Sequence, residues 1–380
     1  MHLTPKQQIR VDIITQYLSG QIFQEDACLA IGIQERQFRR LVKAFREEGI
    51  VSVLHGNTGR TPGNSISDNI KRMLIIMYKG RYKGLNLVHF IEKVKENHSG
   101  ELPKTPCYST IRNIFIKEKL LKPNQSKRKK AHCSRKRYSK EGLMIQIDGS
   151  HHHWLLNQPP CCLTAAIDDA TGKMVGAKFT ETETTFAAMD VIESIVKKYG
   201  CFQMLYSDKA GIYGGGKRDG YSNMNRAMKD LNIVSIQANS AQAKGRVERL
   251  FKTLQSRLIA ELRLRRISTM DEANIYLKET FIEHFNKKFA KEATDQNSAY
   301  RHLHESINLD EVFTMRDDRV VQSGHIVSYG GDKYLVTSEK YSSLVKKHVE
   351  IRLYRNGNMK MFVENEEISF QLFSLNALAA

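Results

Sequence analysis

The sequence predicts a multidomain fold in which helix-turn-helix modules come first, a mixed α/β domain follows and a small β-barrel comes last. Apolar residues keep helical spacing through the first third of the chain. From Leu143 onward short strand-like runs alternate with helical ones, and from Arg319 onward apolar and polar residues alternate around glycine turns. A length of 380 residues leaves room for several separate cores.

The positive charge is concentrated at the front of the chain. The formal net charge is +18; residues 1–140 hold 28 Lys and Arg against 11 Asp and Glu, whereas residues 141–380 hold 31 against 30. A basic front joined to a nearly neutral remainder is typical of a polyanion-binding module attached to a separate body. The front lacks the amphipathic, aromatic-rich basic helix that would favour a membrane surface instead.

The sequence indicates a soluble protein without cysteine chemistry. Neither a leader pattern nor an apolar run of membrane-spanning length is visible, so we expect a cytoplasmic protein with no membrane partner. The six cysteines form no C-x-x-C pair, which argues against disulfides or a zinc knuckle. Consecutive His151, His152 and His153 would alternate sides of an extended chain, so we expect a polar loop rather than a zinc site.

Residues 1–55 are predicted to form a helix-turn-helix module that binds DNA. A capping-box pattern at Thr4 starts the first helix, whose apolar face is expected at Ile9, Ile13, Ile14 and Leu18. A second helix over about 24–30, a turn at Gly32 and a third helix over 34–48 follow. The third helix leaves both base-type and phosphate-type donors exposed. A generic three-helix bundle with a solvated basic face is the alternative. The donors expected to bind DNA are Gln34, Arg36, Gln37, Arg39, Arg40 and Lys43.

A second helix-turn-helix-like unit is predicted over residues 65–121, after a linker rich in glycine. Its helices are expected at about 67–78, 85–97 and 106–119, and the last should present Arg112 and Asn113 to DNA. Two modules in tandem would bind a longer site than one. A plain structural hairpin is the alternative for this unit.

Residues 122–140 read as a basic linker with nine Lys and Arg and no acid. Such a run is usually solvated, and here it is expected to follow DNA phosphates with a salt-dependent grip. A nuclear import signal has the same composition. The cations expected to contact DNA are Lys127, Arg128, Lys129, Lys130, Arg135, Lys136 and Arg137.

Residues 141–266 are predicted to form a mixed α/β sheet domain because three hairpin-linked strands precede alternating helices and strands. The expected elements are strands at 143–147, 162–167 and 174–179, a helix at 185–198, a strand ending at Asp208, a helix near 222–230, a strand at 232–237 and a helix containing Glu248.

Three acids in this domain suit metal chemistry. Asp148 and Asp208 each end a strand-like apolar run, and Glu248 lies beside the apolar face of its helix. Their hard oxygen ligands suit Mg²⁺ or Mn²⁺, and a pair of such ions would activate the attacking oxygen and stabilise the leaving oxygen in phosphodiester chemistry. Each acid taken alone also fits a solvated strand end or a helix-surface charge.

Other polar features of the domain have simpler explanations. Asp168 and Asp169 precede Ala-Thr-Gly and fit a polar β-turn, so neither is included in the metal site. The glycine-rich segment from Gly211 nearly matches a phosphate-binding loop, but Arg218 occupies the required Ser/Thr position, and no nucleotide cofactor is expected. The cations flanking Glu248 are expected to contact DNA phosphates, with an unpaired helix surface as the alternative. They are Lys244, Arg246 and Lys252.

Four stretches together give a specific resemblance. They are 146–150 (QIDGS), 167–172 (IDDATG), 206–209 (YSDK) and 243–249 (AKGRVER). In combination they resemble the ribonuclease-H-like catalytic core of retroviral integrases and DDE transposases, most closely bacterial insertion-sequence transposases of the ISNCY type. The resemblance covers about residues 144–286 and implies that Asp148, Asp208 and Glu248 are the catalytic, metal-binding residues.

The resemblance implies a transposase that binds the terminal inverted repeats of its element, cleaves DNA to expose 3′ hydroxyls and transfers them to target DNA. Two Mg²⁺ or Mn²⁺ ions per active site are implied, with Asp148 bridging them and Glu248 completing the shell of the second ion. Holding two ends together implies a homo-oligomer, at least a dimer, acting at the bacterial nucleoid. The alternatives are a non-enzymatic DNA-binding regulator and a ribonuclease-H-like nuclease without strand transfer.

The rest of the chain is predicted to be a helical connector at 267–316 and a small β-barrel at 317–380. Asn356 and Gly357 are the expected hairpin turn of the barrel. The barrel is similar to the C-terminal barrel of integrases, which implies DNA contact or subunit assembly. A passive β-domain is the alternative.

Overall fold

The computed structural model describes residues 3–54, 65–102, 105–123, 136–209, 211–213, 222–238 and 245–373. The chain divides into two compact units, Met1–Arg72 and Met73–Ala380. The predicted linker at 55–64, Lys127 to Lys130, Arg135, most of the glycine-rich segment and Lys244 lie outside the described residues. Within the described ranges, no helix combines the length and apolar character needed to cross a membrane.

The first unit contains three helices, α1 (Pro5–Leu18), α2 (Gln24–Ile31) and α3 (Glu35–Glu48), and then a 3₁₀ turn (Gly49–Val53). The predicted capping box at Thr4 is confirmed. The turn predicted at Gly32 is confirmed as well, because this glycine ends α2 with a φ of 69°, a left-handed conformation that glycine adopts without strain.

The core of the first unit is narrow. Ile14, Phe38 and Val42 are buried, as predicted. The face predicted for α1 is only partly correct, because Ile9 and Leu18 are 51% and 38% exposed. Two helices and the 3₁₀ turn cover one stripe of α1, and that stripe is centred on Ile14 and completed by residues flanking it. The partly buried residues that complete it are Val11, Ile13 and Tyr17.

Three further helices precede the sheet domain: α4 (Asp68–Lys79), α5 (Leu87–Asn97) and α6 (Tyr108–Lys117). The last begins two residues later than predicted because Cys107 is its N-cap. Aromatic rings join the three helices: Tyr78 lies 5.2 Å from Phe90 and 4.5 Å from Phe115, centroid to centroid. These edge-on and tilted pairs stabilise a small core beyond their area burial.

The central sheet has five strands in the order β3-β2-β1-β4-β5. β2 lies antiparallel to both β1 and β3, whereas β1, β4 and β5 run parallel to one another. The mixed α/β architecture predicted for this region is therefore present. The strands are β1 (Met144–His152), β2 (Cys161–Asp168), β3 (Met174–Thr180), β4 (Met204–Ser207) and β5 (Val234–Gln237).

Helices cover both faces of this sheet. One face packs against α7 (Thr185–Tyr199) and α8 (Asn223–Asp230). The other packs against α9 (Gly245–Leu264) and against a helix composed of α10 (Met270–Tyr276), a π turn (Leu277–Phe281) and α11 (Ile282–Phe289). We call these the α7 face and the α9 face. Two faces packed in this way bury the sheet as the middle of three layers.

Two asparagine side chains cover the outer edge of β3. Asn274 of α10 accepts from the backbone N–H of Phe179 at 2.7 Å and donates to its carbonyl at 3.1 Å. Asn286 of α11 does the same with Met174, at 2.7 and 2.8 Å. At these two residues, the backbone groups that an edge strand would leave unpaired are therefore satisfied by side-chain amides.

The last part of the chain is a six-stranded antiparallel, barrel-like sheet in the order β6-β9-β10-β11-β8-β7, preceded by the short helix α12 (Leu309–Val312). The predicted turn is confirmed, because Gly357 donates to the carbonyl of Tyr354 between β9 and β10. The last strand, β11, was not predicted. The strands are β6 (Met315–Val320), β7 (Ile326–Tyr329), β8 (Asp332–Thr337), β9 (His348–Leu353), β10 (Met359–Val363) and β11 (Glu366–Leu372).

Candidate active site

Asp148 lies in β1, and Asp208 directly follows β4, the parallel neighbour of β1. The pairing of these two strands runs from Met144 and Met204 to Gln146 and Tyr206, so each aspartate comes two residues after the last pair. Side chains alternate along a strand, which puts Asp148 on the same side of the sheet as Gln146.

The side in question is the α9 face. Asp148 is paired with Ala165 of β2 across the antiparallel ladder, and residues directly opposite one another in such a ladder project to the same face. Ala165 is buried in the cluster that includes Val247 and Leu250 of α9. Asp148 therefore projects towards the layer that contains α9.

Asp148 lies within β1, and the prediction that it ends the strand is wrong. β1 continues to His152 because its pairing with β2 extends to Cys161. β4 ends at Ser207, so Asp148 marks the place where β1 loses its parallel neighbour and keeps its antiparallel one. His151 and His152 are strand residues rather than members of the polar loop that was predicted.

The third acid, Glu248, is in the first turn of α9. The apolar spacing predicted for this helix is confirmed, since Val247, Leu250 and Phe251 are buried. Glu248 itself is exposed beside that buried face. In the described part of the chain, no group of three or more His, Cys, Asp or Glu side chains is arranged so as to hold a metal ion.

Asp168 opens the polar turn between β2 and β3, as predicted. Its carboxylate accepts from the backbone N–H and the hydroxyl of Thr171, both at 2.7 Å, and from the N–H of Gly142 at 2.9 Å. Burial raises the pKa of Asp168 although these hydrogen bonds oppose the rise. The side chain therefore fixes the turn locally.

Asp169 has a different environment, which the turn pattern did not reveal. Its buried carboxylate accepts from the side chains of Gln146 at 2.8 Å and Arg246 at 2.6 Å, and from the backbone N–H of Tyr138 at 3.0 Å. These partners are 23, 77 and 31 positions away. Local sequence carries no signal for contacts at such separations, so only the fold identifies them.

Glu183 is a second acid that the sequence did not single out. It stands one position before Thr184, the N-cap of α7, and a Cβ built on Gly149 would lie 2.6 Å from its Oε1 atom. The hydroxyl of Tyr213 is buried and has no hydrogen-bond partner among the described residues. Burial, and then the negative charges of Glu183, Asp148 and Asp208, raises the pKa of Tyr213 well above its ordinary value. The charges of three carboxylates thus act on this buried hydroxyl.

The residues expected to bind DNA have varied environments. All six on the third helix are exposed, with Gln34 as the N-cap of α3. Two of them also form exposed helix-surface ion pairs, Arg39 with Glu35 and Lys43 with Glu47. Asn113, Lys136 and Lys252 are exposed, whereas Arg112 and Arg137 are half-buried.

Arg246 is the predicted DNA contact whose environment differs most from expectation, because its guanidinium pairs with buried Asp169. The alternative of an unpaired cation on the helix surface therefore does not describe this side chain, and its contact with DNA phosphates stays a prediction. An ion pair to a buried carboxylate fixes the start of α9 instead.

Comparisons with known proteins identify the class to which the chain belongs. No family model matches the sequence. The chain is 30% identical over 372 residues to the protein named "Putative transposase y4bF" of Sinorhizobium fredii (strain NBRC 101917 / NGR234), covering 96% of this chain and 80% of that protein. It is 29% identical over 413 residues to the transposase for insertion sequence IS1202 of Streptococcus pneumoniae, covering 96% and 87%. The chain therefore belongs to the family of insertion-sequence transposases.

Solved structures with partial similarity are retroviral integrases. The HTLV-2 integrase catalytic core domain in complex with magnesium is 15% identical, with a TM-score of 0.29 over 37% of this chain and 90% of that one. The simian T-cell lymphotropic virus intasome in complex with PP2A regulatory subunit B56 gamma gives 12% identity and a TM-score of 0.34, over 75% and 99%.

Proposed function

We propose that this transposase cleaves DNA at the terminal inverted repeats of its element and joins the exposed 3′ hydroxyls to target DNA, with Asp148, Asp208 and Glu248 as its catalytic carboxylates. The observation that carries the proposal is that Asp148 projects to the face of the sheet on which α9 packs, and that Glu248 is in the first turn of this helix. Asp208 directly follows β4, the parallel neighbour of β1.

The donor set fits Mg²⁺ or Mn²⁺. Carboxylate oxygens are the hard ligands that these ions prefer. The buried hydroxyl of Tyr213, which has no hydrogen-bond partner among the described residues, is near enough to both aspartates for their charges to raise its pKa. Asp148, Asp208 and Glu248 would hold the ions. When bound, such ions lower the pKa of an attacking oxygen and stabilise the leaving oxygen.

The remaining residues would bind and orient DNA. The exposed donors of α3 have the composition of a recognition helix, with Gln and Arg to reach base edges and further cations for phosphates. The basic segment that ends at Arg137 would follow the backbone towards the catalytic site. Joining two element ends in one reaction requires a homo-oligomer, at least a dimer.

The proposal is tested with Asp148→Asn in the full-length protein. This variant should bind end DNA with parental affinity yet lose cleavage and joining, because the amide is a poorer ligand of a divalent cation and carries no charge. Asp332→Asn is the matched control, since Asp332 is an exposed aspartate at the start of β8. It should leave both reactions unchanged.

A second substrate separates the proposed transposase from its alternatives. A DNA end supplied with its 3′ hydroxyl already exposed should be inserted into target DNA by the parent protein and not by Asp148→Asn. Cleavage without insertion would indicate a simple nuclease. DNA binding unaccompanied by any Mg²⁺-dependent reaction would indicate a regulator and contradict the proposal.

A further inference from the structure

The carboxylate of Asp169 joins three segments that are distant in the sequence. Its Oδ1 atom accepts from Gln146 of β1 and from Arg246 of α9, and its Oδ2 atom accepts from the backbone N–H of Tyr138. The side chain of Asp169 is fully buried, and that of Arg246 is 16% exposed. A charge-assisted bond in such an environment is strong and geometrically demanding.

Two of these partners each stand two positions from a proposed catalytic carboxylate. Gln146 precedes Asp148 on the same side of β1, and Arg246 precedes Glu248 in the first turn of α9. Because both donors bind one oxygen atom of Asp169, that atom fixes the start of α9 against β1. The separation and rotation of Glu248 relative to Asp148 therefore depend on this shared acceptor.

We propose that Asp169 is a positioning residue of the transposase: by holding Arg246 and Gln146 together it sets where Glu248 stands relative to Asp148. The proposal rests on the proposed function of these acids. Asp169 itself would touch neither DNA nor metal, since it acts from beneath the site through the two donors that share its Oδ1 atom.

The same carboxylate also anchors the end of the basic segment. Arg137 donates to the backbone carbonyls of Asp169 at 3.2 Å and Ala170 at 3.0 Å, next to the bond from Tyr138. Burial, and then the nearby guanidinium of Arg246, lowers the pKa of Arg137. Arg137 and Tyr138 are thus bound to the same residue, Asp169, that binds Arg246 at the start of α9.

The test compares two adjacent buried aspartates. Asp169→Asn keeps the size of the side chain and removes the charge that holds Arg246. Asp168→Asn is the matched control, because among the described residues its carboxylate bonds within the turn and to Gly142, away from α9. Asp169→Asn should bind end DNA normally and cleave about 100-fold more slowly, since misplacement of a reacting group by about 1 Å has this effect. Asp168→Asn, assayed while folded, should cleave at the parental rate.

Hydrogen exchange gives a readout that does not depend on activity. Without DNA or metal, amides in residues 249–255 should exchange faster in Asp169→Asn than in the parent, and Asp168→Asn should not differ there. Arg246→Gln should reproduce the faster exchange, and the double variant Asp169→Asn/Arg246→Gln should be no slower in cleavage than either single variant. If Asp169→Asn does not fold, Arg246→Gln and the charge-retaining Arg246→Lys carry the same comparison.

Three results would overturn the proposal: equal loss of cleavage in the two aspartate variants, multiplied losses in the double variant, or unchanged exchange at the start of α9. Asp148→Asn is assayed in parallel. If it still cleaves, the proposed function fails whatever Asp169 does. If it is inactive while Asp169→Asn behaves like Asp168→Asn, only the positioning role is wrong.

Discussion

The two faces of the central sheet hold different parts of the molecule, and each attachment is built around a buried glutamate. On the α7 face, Arg355 of the C-terminal sheet pairs with Glu193 of α7. On the α9 face, Glu261 of α9 pairs at 2.8 Å with each of two α5 side chains, His89 and Lys93. Asp148 projects to the α9 face and Glu248 lies in α9, so the α9 attachment should matter for chemistry, whereas the α7 attachment should matter only for the stability of the fold.

The largest effect is expected from Glu261→Gln. Removing this carboxylate leaves His89, which is buried, and Lys93, which is mostly buried, without their common partner. Loss of one member of a buried ion pair lowers the free energy of unfolding by about 3 kcal/mol. Urea unfolding measures the loss. Glu96→Gln is the control, because Glu96 is the more exposed partner of Lys93, and a change within about 0.5 kcal/mol is expected there. Equal effects of the two substitutions would contradict the importance of burial.

The α9 attachment should also weaken in acid. Burial raises the pKa of Glu261, but hydrogen bonds from His89 and Lys93 outweigh it and lower the pKa to about 2 from 4.5. Because the folded-state pKa is depressed, the stabilisation is present above the unfolded value of 4.5 and is lost as the pH falls from there towards 2. The difference in unfolding free energy between the parent and Glu261→Gln, about 3 kcal/mol near neutral pH, should shrink between about pH 5 and pH 3. A constant difference would refute the assignment.

Breaking the α7 attachment should cost less and leave chemistry intact. Arg355→Met leaves Glu193 with Lys197 as its remaining ion-pair partner among the described residues, so we expect a loss of about 2 kcal/mol in unfolding free energy. Single-turnover cleavage of bound DNA should continue at the parental rate. Lys197→Met, which removes the exposed partner of the same glutamate, should change stability by about 0.5 kcal/mol or less. A defect of Arg355→Met in single-turnover cleavage would remove the distinction between the faces.

The smallest effects are expected at the edge of the sheet. Asn274→Ala and Asn286→Ala each remove the side-chain partner of one N–H and one C=O of β3, and each should lower the unfolding free energy by about 1 kcal/mol, the usual net contribution of a hydrogen bond. Asn297→Ala, in the exposed segment after α11, is the control. If the two edge variants lose no more unfolding free energy than the control, the asparagine hydrogen bonds to β3 do not stabilise the fold.

Local patterns predicted most elements of this fold but not the contacts that arrange the site. The apolar spacing around Val247 fixed the orientation of α9, and the turn at Asp168 follows from residues within three positions of it. The end of β1 was misjudged because strand length depends on the partner β2, which is visible only in the paired sheet. Asp169 resembles its neighbour in sequence, yet its partners come from three separate segments.

Glu183 illustrates the same limit at the site itself. Glu181 and Glu183 occur in one Thr-Glu-Thr-Glu run, and nothing in that run distinguishes them. Glu183 becomes notable only because Gly149, which has no side chain, leaves space for its carboxylate. A glycine after a strand aspartate was a weak signal that another group approaches closely.

The helix formed by α10, the π turn and α11 contains one residue more than a regular α-helix would, and β3 contains one residue more than a regular strand would. The ladder of β2 and β3 shifts register between Ala166 and Ile167, which leaves Val175 unpaired as a bulge, and this reverses the direction in which Met174 would otherwise point relative to Phe179. The π turn adds one residue to the helix, so Asn274 and Asn286 are related by about eleven ordinary α-helical steps, or roughly three full turns. Adding or deleting one residue in either element would move Asn274 or Asn286 away from its partner on β3, unless the other element changed its length as well. The two irregularities should therefore be gained or lost together among related transposases.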